Sequence, residues 1–334
     1  MHSKHPPTLA DVARVAQVST ATISRSINQP DKVAETTRDR IQQVIEQLGY
    51  TPNFGGQALA SNRSNTVGAV IPTMNNAMFA SGLQAFQEVL SESSINLLVA
   101  SSGYSAGSEL EQIRSLIARG ADGLLLIGSA RPDTTTHFLK LRNIPYVIAW
   151  NYEANDERVF AGFDNIKAAS LITTEVLNSG HTKIAMIDGS TQDNDRAKNR
   201  VKGVIQTLAQ QKLQLLEILE TDYSLEAGGN AFESLMARKQ IPSAIICGND
   251  VLAAGAIVRA KQLDIDVPAQ VSITGFDDID LASVVAPPLT TVKVPQLEMG
   301  TAAAKLLLQM LSQQTPASIE LQTKVVMRQS LAKI

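Results

Sequence analysis

The chain is poor in several residue types at once. Its 334 residues include one cysteine, one tryptophan and four histidines, and aromatic residues make up only 4%. A single Cys247 cannot form an internal disulfide, and its place in the apolar run AIIC marks a buried strand residue rather than a nucleophile. The histidines, His2, His5, His137 and His181, are scattered and never take the H-E-x-x-H spacing of a zinc site; His181, between a helix and a strand, reads as structural. No G-x-G-x-x-G follows a strand-like run, and no G-x-x-x-x-G-K-[ST] phosphate loop occurs. No enzyme activity, cofactor or metal is therefore expected. Apolar runs stay short of the ~18 residues that span a bilayer. The opening MHSKHPP lacks the apolar core of a signal peptide. A cytoplasmic location with no membrane partner is the expectation.

Charge of one sign is also scarce, but it is unevenly placed. The net charge is −3. Residues 1–63 carry seven Lys or Arg and five acids, a net +2, which leaves −5 on the remainder. A mildly basic head on an acidic body suits nucleic-acid contact confined to one end. So small an excess implies that two heads act together and that affinity falls with added salt.

The segment that carries most information is Thr8 to Asn28, TLADVARVAQVSTATISRSIN. Leu9, Val12, Ala13 and Ala16 recur at helical spacing, Gln17-Val18-Ser19 makes a turn, and Ser19 or Thr20 can cap a second helix. In that second helix Ile23 and Ile27 face inward towards Val12 and Val18. Thr20, Ala21, Thr22, Ser24, Arg25 and Asn28 are left outward, short and mostly polar with one long Arg, as a helix entering a major groove requires. A third helix, Ala34 to Leu48, ends at Gly49 and completes a small headpiece.

This segment resembles the headpiece of the LacI/GalR (lactose and galactose repressor) family, whose pattern is T-[IL]-x-D-V-A-x-x-A-x-V-S-x-x-T-[VI]-S-R-x-[IVL]-N. Every fixed position is present, from Thr8, Leu9, Asp11, Val12, Ala13 and Ala16 through Val18, Ser19, Thr22, Ile23, Ser24, Arg25 and Asn28. Gln17 departs from it, where Gly is common. The resemblance implies DNA contacts from Thr8, Ser19, Thr20, Ala21, Thr22, Ser24, Arg25 and Asn28. It also implies a hinge over 51–63, with a short helix capped by Asn53 and with Leu59 wedged into the minor groove. Gly55 and Gly56 weaken that helix by ~1 kcal/mol each relative to Ala, so it is expected to fold only on DNA.

From residue 64 the pattern changes to apolar runs alternating with amphipathic stretches. Thr66–Pro72, Gly123–Ile127, Ile184–Asp188, Ala244–Cys247 and Val271–Phe276 read as buried parallel strands with helices between them. About ten β-α units exceed one ordinary sheet, and the chain divides near Ala161–Asp164. The fold class is α/β: a headpiece over 1–50, a hinge over 51–63 and a two-lobed body over 64–334 that resembles the periplasmic sugar-binding fold. Lobe one would take about 64–162 and 292–323, and lobe two about 163–291 and 324–334. No leucine heptad follows Ser330, so a homodimer is expected.

Ligands of open α/β lobes bind beyond the carboxyl ends of the strands. The loops there offer Asn75, Phe79, Tyr104, Trp150, Arg196, Arg200, Tyr223, Asn249 and Asp277. Aromatic faces against a sugar ring, with carboxylate, amide and guanidinium groups on its hydroxyls, are the chemistry of such sites. The family resemblance matches Arg200, Asp277, Asn249 and Tyr223 to effector contacts. The alternatives are lobe-bridging ion pairs for Arg200 and Asp277, and core packing for Trp150 and Phe79. Asn75–Ala80 and Gly162–Asn165 look most like the gluconate-utilisation repressor branch, and Arg196 with Arg200 suits a carboxylate. The expected function is a dimeric repressor of a palindromic double-stranded operator, responsive to a sugar or a sugar acid such as gluconate. The runner-up is a carbohydrate-binding protein without a DNA function.

Overall fold

Helix α1 (Leu9–Ala16) begins where Thr8 and Asp11 cap each other: the Asp11 N–H donates to Thr8 Oγ1 at 3.3 Å and the Thr8 N–H to Asp11 Oδ2 at 3.0 Å. Hydrogen bonds from Thr8 and Arg14 hold the Asp11 carboxyl at about 2, below its ordinary range. The helix stops at Gln17, whose left-handed φ of 54° is the conformation that a glycine adopts at lower cost. Helix α2 (Thr20–Asn28) is capped by Ser19, whose Oγ accepts the Thr22 N–H at 3.1 Å. One 3₁₀ turn leads to α3 (Glu35–Leu48), closed by Gly49 at φ 63°. Val12, Ala13, Ala16, Ile23, Ile41 and Val44 form the small core. This computed structural model describes residues 5–51 and 63–334. The expected hinge residues Asn53, Gly55, Gly56 and Leu59 lie outside the described residues, as does the Asn28 side chain.

The residues up to Asn65 form one unit and Thr66–Ile334 another. In the second unit, apolar runs too continuous for a half-exposed sheet become central parallel strands covered on both faces. Sheet one runs β11-β5-β4-β3-β1-β2, all parallel. Its strands are β1 (Thr66–Ile71), β2 (Asn96–Ser101), β3 (Gly123–Ile127), β4 (Tyr146–Ala149), β5 (Val159–Gly162) and β11 (Ile319–Glu320). Helices α4 (Ala77–Glu92), α5 (Ala106–Ala118) and α6 (Asp133–Arg142) connect the early strands.

Sheet two runs β12-β10-β9-β8-β6-β7, with β12 alone antiparallel to its neighbour. It comprises β6 (Ile184–Asp188), β7 (Ile218–Glu220), β8 (Ala244–Cys247), β9 (Ser272–Asp277), β10 (Thr290–Lys293) and β12 (Lys324–Val326). Helices α7 (Asn165–Asn178), α8 (Asp195–Gln210), α9 (Leu225–Met236) and α10 (Asp250–Gln262) accompany it, with the short α11 (Leu281–Val284) before β10. The chain passes between sheets from β5 to α7, from β10 into α12 (Gln296–Leu311), and from β11 to β12. The strand at 214–220 shortens to Ile218–Glu220, and β5, β10 and β11 are additions to the sequence reading.

Helix α12 returns to pack on α4 of lobe one. A Cβ at Gly300 would collide with the Gly82 carbonyl oxygen, so the two backbones meet through glycines. Trp150 lies on Gly82 in the same contact, fully buried at the end of β4.

Candidate effector site

The lobes face each other across the carboxyl ends of both sheets. On the lobe-two side, Asp188 ends β6, and Arg200 stands one turn into α8. Arg200 Nη2 donates to Asp188 Oδ1 at 3.3 Å and to the Tyr223 hydroxyl at 2.7 Å; the Tyr223 hydroxyl donates to the same Oδ1 at 3.0 Å. The Arg200 guanidinium also lies 5.1 Å from the centre of the Phe276 ring. Burial opposes the charge on Arg200, yet Asp188, Tyr223 and Asp277 raise its pKa and hold it protonated. Burial raises the Tyr223 pKa, keeping the phenol neutral. The Tyr223 ring occupies the space where a Cβ at residue 189 would stand, which is why Gly189 follows the strand.

Asn249 caps α10 through Oδ1, which accepts the Leu252 N–H at 2.9 Å, and this turns its Nδ2 outward from the cap. Asp277 ends β9 at φ 111°, a left-handed backbone fixed by the Gln296 amide and the Val294 N–H on its carbonyl. Burial, with help from the neighbouring Asp250 charge, pushes the Asp277 pKa well up. Asn249 Nδ2, Arg200 Nε and Asp188 Oδ2 are buried without a hydrogen-bond partner.

Lobe one supplies Asn76, Met78 and Phe79 from the start of α4 and Tyr104 from the turn after β2. Tyr104, at φ 61°, sets its ring 5.8 Å from that of Tyr223 across the cleft. With Arg196 and Asn194 these residues line a narrow pocket of about 20 Å³ between the lobes.

The N-terminus of α8 also reaches into lobe one. Asp195 Oδ2 accepts from the Ser129 N–H at 2.6 Å, the Ser129 hydroxyl at 2.9 Å and Asn151 Nδ2 at 3.1 Å. Arg196 Nη1 donates to the Ile127 carbonyl at 3.3 Å and to Asp195 Oδ1 at 2.9 Å. Gly128, at φ 73°, leaves room for both side chains. Burial works against the Asp195 charge, but Arg196 and the two Ser129 donors prevail and its pKa is lowered.

Comparison with known proteins agrees with this layout. Residues 8–53 match the family described as bacterial regulatory proteins, lacI family, and residues 173–331 match a periplasmic binding protein-like domain. Catabolite control protein A of Priestia megaterium is 30% identical over 97% of this chain and 98% of its own. The transcriptional repressor CytR of Escherichia coli K12 is 32% identical over 90% of this chain and 89% of its own. The chain belongs to the lacI family of bacterial regulatory proteins. It is a DNA-binding transcriptional regulator with an N-terminal helix-turn-helix and a periplasmic-binding-protein-like body. Among solved structures, the transcription regulator GntR of Chromobacterium violaceum is 31% identical. The match covers 80% of this chain and 99% of that one, with a TM-score of 0.76.

In this lacI-family regulator, Phe79, Arg196, Arg200, Tyr223, Asn249 and Asp277 converge on the cleft. Asn75 does not: it is exposed in the turn before α4, and its neighbour Asn76, turned inward to cap that helix on the Met78 N–H, lines the space instead. Trp150 lies behind Phe79, ring centres 5.3 Å apart, and is not among the residues that line this space. Asp188 was missed as a polar anchor, although a lone carboxylate ending the apolar strand IAMID is a legible signal. Tyr104 appeared among the loop residues without being singled out. In the headpiece, Thr20, Ala21 and Arg25 are exposed and Thr22 and Ser24 are half-buried on α2. Thr8 and Ser19 are exposed, and their hydroxyls serve the helix caps. Among the described residues no helix is long and apolar enough to cross a membrane, and no cluster of candidate metal ligands occurs.

Proposed function

We propose that this repressor binds a palindromic operator as a homodimer and that a small sugar or sugar acid held between the lobes controls that binding. The observation that carries the effector half is the pair of buried polar atoms without partners, Asn249 Nδ2 and Arg200 Nε, on residues that line the inter-lobe cleft. An unpaired buried polar atom costs ~1–3 kcal/mol, so a hydroxylated ligand that supplies the missing bonds gains affinity from them. Arg200 and Arg196 already face Asp188 and Asp195, and Asp277 adds a buried carboxyl. That balance favours ligand hydroxyl groups over a ligand carboxylate, and a neutral sugar over gluconate.

Support for the DNA half comes from the exposed face of α2, with Thr20, Ala21 and Arg25 outward and Ile23 fully buried. Thr22, Ser24 and Asn28, with Thr8 and Ser19 on phosphates, complete the proposed contacts, and Asn53 and Leu59 of the hinge would act at the operator centre. Effector binding between lobes that rotate against each other changes the separation of the two hinges and couples the sites reciprocally. The test is titration against DNA from the protein's own upstream region, with gluconate and with neutral sugars. Specific, salt-sensitive binding released or strengthened by one of them is expected. Absence of specific binding by the folded protein would overturn the reading, and specific binding indifferent to every sugar would overturn its effector half.

A further inference from the structure

Helix α1 carries an exposed stripe that none of the contacts described above uses. Ala10, Arg14 and Gln17 follow one another at spacings of four and three residues, and all three are exposed. Residues so spaced lie on one side of a helix. Val12 and Ala16, on the other side, are spent on the headpiece core. The Arg14 side chain is 74% exposed, and its hydrogen bond among the described residues runs from Nη2 to Asp11 Oδ1 at 3.1 Å. Asp11 is itself engaged in the helix cap, where Oδ2 accepts from the Thr8 N–H and hydroxyl. Most N–H donors of the Arg14 guanidinium are therefore available to a further acceptor.

Gln17 ends the stripe at φ 54° and ψ 43°. A left-handed backbone is strained for any residue with a side chain, and Gly49 takes the equivalent place at the end of α3. Conformation alone favours glycine at residue 17. The chain instead carries there a long amide that makes no side-chain hydrogen bond among the described residues. In helix-turn-helix docking the second helix enters the major groove and the first crosses the sugar-phosphate backbone beside it. The exposed stripe of α1 and the turn into α2 then meet phosphates rather than bases.

Resting on the DNA-binding reading of the headpiece, we infer that Arg14 and Gln17 grip the phosphate backbone alongside the groove that α2 enters. Arg14 supplies a charged fork that matches a phosphate. Gln17 supplies a neutral amide donor one turn further on, and Ala10 is small enough to let the strand approach. Such contacts set the register of α2 without reading sequence. They also answer the small basic excess of residues 1–63, a net +2, because the amide adds a phosphate donor without adding charge.

Fluorescence anisotropy of the full chain tests this, with a random-sequence duplex and with DNA from the protein's own upstream region, each over a salt series. Arg14→Ala should weaken binding to both DNAs by a similar factor, about tenfold at low salt. It should also reduce the slope of log affinity against log salt by ~0.9 for each head bound. Arg14→Lys, which keeps the charge, should stay within about threefold of wild type with the slope unchanged. Gln17→Ala should weaken both about threefold without changing the slope, and Gln17→Lys should tighten both and steepen it. Gln17→Gly relaxes the backbone, so amide hydrogen exchange in α1 should slow while DNA binding still falls as in Gln17→Ala. Hydrogen exchange also checks that α1 is folded in each variant; if Arg14→Ala loosens it, the Gln17 variants decide. A folded Arg14→Ala with an unchanged salt slope, or Gln17→Ala with unchanged affinity, overturns the inference and keeps the DNA-binding reading. Failure of the folded wild type to bind either DNA overturns both.

Discussion

The Ser129 N–H of lobe one donates to Asp195 Oδ2 of lobe two at 2.6 Å, and the Ser129 hydroxyl and Asn151 Nδ2 converge on the same oxygen. The lobes are thus joined by a carboxylate that receives three donors from the opposite side. Charge-assisted hydrogen bonds of this kind contribute ~1.5–3 kcal/mol. Asp195→Ala should therefore favour an open arrangement of the lobes and weaken effector binding about tenfold. Small-angle scattering should show a larger radius of gyration for the free variant. An unchanged radius with unchanged affinity would remove the clasp from the account. Because the folded-state pKa of Asp195 lies below 3.8, the clasp persists at neutral pH and is lost only as the pH falls through that lowered value.

Arg25 is exposed on α2, three residues beyond the half-buried Thr22. Arg25→Ala should reduce specific operator binding by ~1–3 kcal/mol, with less than threefold change on unrelated DNA. Competition titrations at fixed salt read both quantities. An equal fall in both would make Arg25 a phosphate contact rather than a base reader.

Asp250 is fully buried at the start of α10, where its carboxylate accepts from the Thr291 hydroxyl at 2.5 Å and the Ile279 N–H at 2.9 Å. Burial pushes its pKa up to about 7. A raised folded-state value means that the group's stabilising contribution is full below its unfolded value of 3.8 and is lost as the pH rises through about 7. The amide of Asp250→Asn keeps an acceptor for Ile279 and gains a donor for Thr291. The variant should gain on the order of 2 kcal/mol over wild type at pH 8, and the gain should shrink at pH 5. Denaturant melts at the two pH values decide it; a gain independent of pH would exclude ionisation as the cause.

Trp150 contacts Phe79 and Gly82 and stands behind the residues that line the pocket at Arg200 and Asp277. Trp150→Phe should cost ~1–3 kcal/mol of stability by leaving a void, while effector affinity changes less than twofold. The reverse pattern, intact stability with lost affinity, would make the indole a ligand contact. In the wild type, the sole tryptophan reports on the cleft through Phe79, so an effector titration should shift its emission.

Much of this protein is legible from local pattern. The motif from Thr8 to Asn28 specifies two capped helices because each cap is a contact between residues three apart, Thr8 with Asp11 and Ser19 with Thr22. Runs such as GLLLI and AIIC are apolar throughout, and only a strand covered on both faces can bury all of them. Asn249 and Asp277 are legible because they stand at or just beyond a strand end, where the α/β architecture places its cleft, and Arg200 because it lies in the first turns of the helix that follows β6. Other features depend on contacts between distant residues. Which of Asn75 and Asn76 turns inward was decided by the start of α4. Whether Trp150 meets ligand or core was decided by the crossing of α4 and α12 at Gly82 and Gly300. The pairing of Asp195 with Ser129, 66 residues apart, exists only because the two lobes close on each other. Residue spacing within a helix or strand fixes which faces are apolar. Only the packing of those faces sets which polar groups meet, and the clasp at Asp195 belongs to that second kind.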